Sequence, residues 1–358
     1  MIIDCHAHHI AAPYNSNYLE WLKATGNKEF GPFYLWNDPA FEDEGLVYKK
    51  MKQNGIGCSI ITYSANITQI VDAAAASPNL SDRMAADGDG ASDPRLSIVR
   101  DINDKTIEMC KKSDGHLRTT ALIELRSGLP ALNELERCAP DVVGFSVLAA
   151  YRNKTQICFL DDPAYEPFWA EAERMSKPVF IHFSNLYKIN NPKAPIPGYM
   201  NDTLLYAGMG QLMEDALCVA RLVLSGVFDR HPGLKIVMGQ AGGMYPFMLE
   251  RMDMLYHMYA GGAKKAGLNI TDVSMPESFM RNMKNYTDQI YVDTHSMDAL
   301  SILCAAQILG EDKILYGSDY PITPDGWGMD RALGELKTLP EGLQRKVFSE
   351  NAGRLLNI

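Results

Sequence analysis

The chain has 358 residues, of which 46% are hydrophobic and 22% are charged, so it can bury a large core. Its formal net charge of -10 argues against a surface for nucleic acid or for an anionic membrane. No apolar run approaches the roughly 20 residues of a membrane span, and no early segment has the pattern of a secretory signal. The seven cysteines are scattered and read as free thiols. We therefore expect a globular cytoplasmic protein that binds neither nucleic acid nor membrane.

Short apolar, β-branched runs alternate with helical stretches, which predicts a parallel sheet built from βα units. The predicted strands are Ile2 to Cys5, Gly57 to Thr62, Thr119 to Glu124, Val142 to Val147, Pro178 to His182, Leu234 to Gly239, Ile290 to Thr294 and Ile314 to Gly317. A helix is predicted over Ala164 to Met175, and another ends within Arg221 to Phe228. Eight strands with helices between them predict one (β/α)8 TIM-barrel domain over residues 1–358.

Two segments exceed what a minimal barrel needs. Residues 14–45 are rich in aromatic side chains, including Trp36, and residues 185–201 are rich in Pro, Asn and Lys. Each follows a predicted strand that ends in histidine, so we expect both at the C-terminal face of the barrel, where barrel chemistry takes place. They are expected either to wall the pocket or to pack against a neighbouring subunit.

Four residues at predicted strand ends have the chemistry of metal ligands. His6 and His8 alternate along the first strand, so their side chains share a face. His182 ends the fifth predicted strand, and Asp319 follows the eighth. Taken singly, His182 could be a core histidine and Asp319 a helix N-cap. Together, three imidazoles and one carboxylate at one face predict a Zn²⁺ site, with Mn²⁺ or Fe²⁺ as alternatives.

Four stretches of the sequence carry a family resemblance. They are His6-Ala7-His8, the segment 162–169 that leads to His182, the segment 225–235, and Tyr316-Gly317-Ser318-Asp319-Tyr320-Pro321. In these stretches, and nearly end to end, the chain resembles the amidohydrolase-related family. The resemblance implies a metal-dependent barrel enzyme, usually a homodimer, that acts on carboxylated aromatic or dienoic small molecules. It also implies that Arg251 meets a substrate carboxylate, although an exposed helix arginine in a local ion pair is the alternative.

One position departs from that family pattern. The family normally has a histidine followed by glycines after the sixth strand, and Gln240 stands there in this chain. An amide cannot carry a proton near neutral pH, but it can donate and accept hydrogen bonds. Three interpretations stay open: Asp319 is the sole proton carrier, His295 past the seventh strand is a replacement acid or base, or the barrel binds metal without turnover. His295 could equally be a loop histidine with no catalytic part.

Decarboxylation tolerates the loss of that histidine better than hydrolysis does. It needs a metal to hold the carboxylate and one acid, whereas hydrolysis needs an activated water and a protonated leaving group. The sequence therefore favours a metal-dependent nonoxidative decarboxylase of a hydroxylated aromatic or unsaturated carboxylate. A metal-dependent hydrolase of an amide, lactone or thioester and a metal-binding pseudoenzyme remain the alternatives. The predicted catalytic residues are Asp319, Gln240 and His295, and the predicted substrate contacts are Arg251, Trp36 and Phe183.

Overall fold

Eight parallel strands form a closed barrel, as the sequence predicts. This computed structural model describes residues 1–25, 37–76, 93–153, 156–184, 203–267, 281–323 and 329–358. Its strands are β1 (Ile2–His8), β2 (Ile56–Thr62), β3 (Leu117–Leu122), β4 (Gly144–Leu148), β5 (Ala150–Asn153), β6 (Gln156–Phe159), β7 (Val179–His182), β8 (Ile236–Met238), β9 (Ile290–Asp293) and β10 (Ile314–Leu315). The order in the large sheet is β1-β2-β3-β4-β7-β8-β9-β10, and every neighbouring pair is parallel. Each of the eight predicted strands overlaps one strand of this large sheet.

Backbone hydrogen bonds join the last strand to the first. The Cys5 N–H donates to the Tyr316 carbonyl at 2.7 Å, and the His8 N–H donates to the Tyr320 carbonyl at 2.7 Å. A parallel bridge between Ala7 and Tyr320 lies in the same seam. The C-terminal ends of all eight strands therefore meet at one rim of the barrel.

A β-bulge in β1 sets which side chains face the barrel interior. The pairing of β1 with β2 shifts register between Asp4 and Ala7. Because a bulge changes the alternation of side chains, Ile3 and Cys5 can face inward before it, and His6 and His8 can face inward after it. Ile3 and Cys5 belong to a small buried cluster with Cys58, Ile60, Val143, Phe180, Val237, Leu315, Ala352 and Leu356. The histidines lie above this apolar plug.

The antiparallel hairpin formed by β5 and β6 was not predicted. Its strands have four residues each and carry polar side chains at their turn ends, so they lack a hydrophobic pattern. Tyr151 is buried and its hydroxyl accepts the Leu148 N–H at 3.0 Å. This contact fastens the hairpin to the end of β4.

Helices cover the outside of the barrel. They are Tyr14–Thr25, Glu44–Asn54, Ile67–Ala75, Pro94–Lys112, Leu132–Cys138, Glu166–Arg174, Gln211–Leu224, Val227–Arg230, Tyr245–Lys265, Ala299–Leu309, Met329–Leu336, Glu341–Arg345 and Asn351–Leu356, together with the short turn Thr203–Leu205. Their apolar faces build the larger buried cluster between helices and sheet. Within the described part of the chain, no helix is both long and apolar enough to cross a bilayer.

Two predicted helices differ in detail from those observed. Asp162 caps a 3-10 turn, Pro163–Tyr165, by accepting the Ala164 N–H at 2.9 Å, and the α-helix follows over Glu166–Arg174. The helix predicted to end within Arg221 to Phe228 is observed as two helices. Gly226 has a φ of +80°, which interrupts the helix between Leu224 and Val227.

Candidate functional site

The four residues predicted as metal ligands lie together at the C-terminal rim of the barrel. His6 and His8 are near the end of β1, His182 ends β7, and Asp319 follows β10. The His8 Nε2 is 3.0 Å from the Asp319 Oδ1 and 3.2 Å from the His6 Nε2. The ligand atoms of all four lie within 4.8 Å of one another, and all four residues are buried. Such a set can surround a single cation.

The second ring nitrogen of each of these histidines has a hydrogen-bond acceptor. The Nδ1 to oxygen distances are 2.6 Å from His6 to Asp293, 3.1 Å from His8 to the Thr62 carbonyl, and 3.0 Å from His182 to the Phe183 carbonyl. A proton held on Nδ1 by these acceptors leaves the Nε2 lone pair free. That is the tautomer that a metal ligand needs, and such acceptors also fix the orientation of the ring.

The charge states also suit a cation. Burial and the neighbouring His8 and His6 rings lower the pKa of His182 well below its ordinary value, so its imidazole is neutral. Burial opposes ionisation of Asp319, but His295 and the hydrogen bond with His8 lower the pKa of its carboxyl to about 2. Neutral imidazole and ionised carboxylate are the forms that bind metal, so the residues present fit a divalent transition metal.

Asp4 joins the two strands that carry three of these residues. Its Oδ1 accepts the N–H groups of His6 at 3.1 Å and Ser318 at 3.0 Å, and its Oδ2 accepts the Ser318 hydroxyl at 2.6 Å. The Asp319 N–H donates in turn to the His6 carbonyl at 2.8 Å. Burial raises the pKa of Asp4 to about 6. Sequence reasoning missed Asp4, although an acid inside an apolar strand requires donors and is a usable signal.

His295 is linked to His6 through Asp293, which the sequence also did not single out. The Asp293 carboxylate lies 2.8 Å from the His295 Nδ1 with one oxygen and 2.6 Å from the His6 Nδ1 with the other. The rings of His6 and His295 are 4.2 Å apart between centroids. A Cβ on Gly239 would lie 2.7 Å from the His295 Cε1, so the ring occupies space that only glycine leaves open. The structure thus brings His295 to the site.

His295 and Asp293 shift each other's pKa. Burial lowers the pKa of His295, but Asp293 and Asp319 outweigh it and raise that pKa above its ordinary value. Burial likewise opposes ionisation of Asp293, yet His295 and His6 hold the pKa of its carboxyl far below its usual range. Asp293 therefore favours the protonated form of His295, and its carboxylate has a histidine ring nitrogen on each side.

Gln240 opens a strained turn directly after β8. Gln240 and Ala241 have φ values of 53° and 55°, in the left-handed region that costs a non-glycine residue about 1–2 kcal/mol. The Gln240 N–H donates to the Asp293 Oδ1 at 3.2 Å. Its Oε1 is buried and has no hydrogen-bond partner among the residues that the structure describes. Backbone strain and an unpaired buried polar atom are both features that cluster at functional sites, so Gln240 stays a candidate site residue.

The remaining predicted residues lie in different surroundings. The half-buried Phe183 packs its ring 4.1 Å from that of His182, between centroids. Arg251 is exposed, in the second turn of helix Tyr245–Lys265. Trp36 and the segment 185–201 lie outside the described residues, as do positions 26–35 of the first insertion.

A closed (β/α)8 barrel with a His/Asp centre at its C-terminal rim defines a metal-centred barrel protein of the TIM class. The chain belongs to the amidohydrolase family, whose sequence profile matches residues 3–358. It is 30% identical over 243 residues to γ-resorcylate decarboxylase of Rhodococcus jostii, covering 63% of this chain and 67% of that protein.

Solved structures share the fold. 2,6-Dihydroxybenzoate decarboxylase from Rhizobium superposes with a TM-score of 0.71 at 24% identity, over 100% of this chain and 99% of that one. A dihydroxybenzoic acid decarboxylase from Polaromonas, with bound manganese and the inhibitor 2-nitroresorcinol, gives 0.69 at 20% identity over 100% and 97%.

Proposed function

We propose that this chain is a metal-dependent nonoxidative decarboxylase of a hydroxylated aromatic or unsaturated carboxylate. The observation that carries the proposal is the complete His/Asp centre combined with an amide, Gln240, at the end of β8. Decarboxylation needs only one proton donor, and the site can supply one without the amide of Gln240, which cannot carry a proton. The relative from Rhodococcus jostii is itself a decarboxylase, which supports the same reaction class.

The reaction breaks one carbon–carbon bond and replaces it with a carbon–hydrogen bond. The electron pair of the broken bond stays on the ring or vinyl carbon, CO₂ leaves, and that carbon takes one proton. A divalent metal held by His6, His8, His182 and Asp319 would anchor the carboxylate and an adjacent oxygen and withdraw charge from them. The protein must then supply the proton and exclude competing water.

His295 is the group best suited to supply that proton. Asp293 lies 2.8 Å from its Nδ1 and, together with Asp319, raises its pKa, which favours the doubly protonated ring, in which Nε2 also carries a proton to donate. Asp319 is ionised, which suits a ligand and an acceptor of a substrate hydroxyl proton. Asp319 could act alone as the acid only after bound substrate had raised its pKa, and replacing His295 distinguishes the two proton donors.

Substrate contacts follow from the rim residues. The Gln240 amide would hydrogen-bond a substrate oxygen, and Phe183 would flank the ring from beside His182. We propose that Trp36 forms part of the pocket wall and that Arg251 binds a second anionic group of the substrate. Arg251 suits an anion because its guanidinium binds a carboxylate through two parallel hydrogen bonds.

We further propose a homodimer that buries one face of helix Tyr245–Lys265. Phe247, Met254 and Met258 are 51%, 51% and 55% exposed. With Arg251 they recur at helical spacing and form a single apolar stripe around the arginine. A second copy of the chain packed on this stripe would remove it from water and bring Arg251 into the interface. Light scattering of the wild type and of Met254→Glu tests this, since only the wild type should have twice the chain mass.

Zn²⁺ is the proposed metal, with Mn²⁺ and Fe²⁺ as alternatives. Three imidazoles and a carboxylate suit all three ions, and the Polaromonas structure contains manganese. The proposed location is the cytoplasm, supported by seven cysteines that are all free thiols.

The test of the function is CO₂ release from hydroxybenzoates by protein loaded separately with each metal. 2,6-Dihydroxybenzoate is the first probe, and esters and amides are the comparison substrates. Release of CO₂ and the corresponding phenol supports the proposal. Ester or amide turnover without CO₂ would establish the hydrolase instead.

A further inference from the structure

Asp215 is a buried acid that the proposed reaction does not use. It lies in the second turn of helix Gln211–Leu224 and is 1% exposed. Both of its carboxyl oxygens are buried, and neither has a hydrogen-bond partner within the described ranges of the chain. An ionised carboxylate in that position would carry a large desolvation penalty, so the group calls for a specific explanation.

Burial and two neighbouring acids disfavour the ionised form of Asp215. Glu214 accepts hydrogen bonds from the Ser184 N–H and hydroxyl and, at 3.0 Å, from the Tyr206 hydroxyl. Glu214 and Asp293 are therefore the carboxylates that receive the local donors, and both repel a further negative charge. Burial, followed by these two acids, raises the pKa of Asp215 well above its ordinary value. This shift favours the protonated form of Asp215, which has an O–H to donate.

The helix that carries Asp215 packs on the strained turn that carries Gln240. The Met244 N–H donates to the Leu212 carbonyl at 3.3 Å, which joins the end of the turn to the first turn of the helix. A Cβ placed on Gly243 would lie 3.0 Å from the Asp215 Cβ. Asp215 therefore packs against this turn at Gly243.

Two buried polar groups without partners among the described residues thus meet at the same turn: the Gln240 Oε1 belongs to it, and the Asp215 carboxyl packs against it. We propose that Asp215 is a positioning residue for Gln240: its O–H donates to the Gln240 Oε1, directly or through one buried water, and thereby leaves the Gln240 amide N–H groups for a substrate oxygen. The pairing satisfies both orphaned groups at once. It rests on the proposed role of Gln240 as a substrate contact, and it specifies that Gln240 acts as a donor, which suits an anionic oxygen.

A double-mutant cycle between positions 215 and 240 tests the pairing. Asp215→Leu and Gln240→Met keep the approximate shapes but remove the donor and the acceptor, and Asp215→Asn keeps a donor. With metal-loaded protein and 2-nitroresorcinol, the inhibitor in the Polaromonas structure, which has no carboxylate to lose, we expect calorimetry to show that Asp215→Leu weakens binding about fivefold, the scale of one net hydrogen bond. Asp215→Asn should stay within about twofold of the wild type, and Asp215→Leu should have no further effect in the Gln240→Met background.

Unfolding of the metal-free protein by urea repeats the cycle without any substrate. Each single variant changes the unfolding equilibrium constant by some factor, and independent residues give a double variant that changes it by the product of the two factors. If the two residues are coupled, the double variant should differ from that product about fivefold. Independent effects in the unfolding cycle, or equal weakening of binding by Asp215→Leu with and without Gln240, would overturn the proposal. If even the wild type fails to bind the probe, the proposed substrate class fails while the unfolding cycle still decides the pairing. Asp215→Ala replaces Asp215→Leu in both cycles if the leucine variant does not fold.

Discussion

The half of the rim that carries the His/Asp centre and the half that carries Gln240 differ in how their polar groups are paired. Around the centre, each histidine Nδ1 has an acceptor, and the Asp319 backbone is bonded to β1. Around Gln240, its own Oε1 and both oxygens of Asp215 are buried without partners in the described chain, and the backbone is strained. The pairing of the first half suits it to bind a cation, whereas in the second half the proposed contact between Asp215 and the Gln240 Oε1 would leave the Gln240 amide N–H groups for a substrate.

This contrast gives each half its own signature when it is damaged. Loss of the first half should remove metal and, with it, every activity. Loss of the second half should leave the metal in place and change proton supply or substrate binding. If variants in both halves produce the same defect, the proposed difference in function between the two halves is wrong.

The largest effect is expected from His182→Ala. It removes one of three imidazoles from a set whose ligand atoms lie within 4.8 Å, so bound metal should be lost and decarboxylation should fall by about a thousandfold or more. Elemental analysis and a CO₂ assay measure both. His257→Ala is the matched control, because His257 is exposed, with 67% of its side chain accessible. A His182→Ala protein that retained full metal would refute the assignment of that half.

The next largest effect is expected from His295→Asn, which changes the proposed proton donor beside Asp293. Asparagine keeps a hydrogen-bonding group near Asp293 but cannot deliver a proton, so kcat should fall about a hundredfold while metal content stays unchanged. Stopped-assay kinetics together with metal analysis distinguish this from a ligand defect. An unchanged kcat would mean that Asp319, and not His295, donates the proton.

Asp293→Asn damages the connection between the two halves. The change weakens the bonds to both His6 and His295, and loss of such a supporting carboxylate typically lowers metal affinity about 10–100-fold. Competition with a chelator of known affinity gives the metal Kd. If the affinity is unaltered, the Asp293 contact with His6 does not orient a ligand.

Arg251→Ala should change substrate binding more than turnover. An arginine that meets a second anionic group contributes similarly to the ground and transition states, so KM should rise about tenfold with little change in kcat. Arg345→Ala is the control, since that side chain is 66% exposed on another helix. An equal effect of the two variants would show that Arg251 acts only through overall charge.

The smallest effect is expected on stability, from Asp215→Asn. Because the native state raises the pKa of Asp215, it retains a proton that the unfolded chain releases above about pH 4, so wild-type stability declines as the pH rises past that value. The asparagine variant lacks this decline. Its free energy of unfolding should match the wild type near pH 3.5 and exceed it by about 1 kcal/mol or more at pH 8, as measured by urea titration. A difference that does not vary with pH would mean that Asp215 is ionised in the native protein.

The barrel and the meeting of His6, His8, His182 and Asp319 could be predicted from the sequence. Buried parallel strands leave apolar runs, and polar residues that end such runs converge at one rim. The ligand roles of these four residues remain a prediction that metal analysis must test. The sequence also placed His295 near enough to be a candidate.

The supporting contacts could not be predicted in the same way. Asp4 receives its donors from Ser318, 314 positions away, and Asp293 serves His6 across the barrel. These pairings follow from strand order and from the bulge in β1, neither of which has a local pattern. The unpaired state of Asp215 likewise depends on a turn that only the fold brings against its helix.

Metal-dependent decarboxylation is measured by following CO₂ and phenol together when metal-loaded protein is given 2,6-dihydroxybenzoate and related hydroxybenzoates. We expect the two products in equal amounts, and we expect both to disappear when the metal is removed and to return when Zn²⁺ or Mn²⁺ is restored. Metal-loaded protein that releases no CO₂ from any of these acids, but hydrolyses esters or amides, would contradict the proposed decarboxylation.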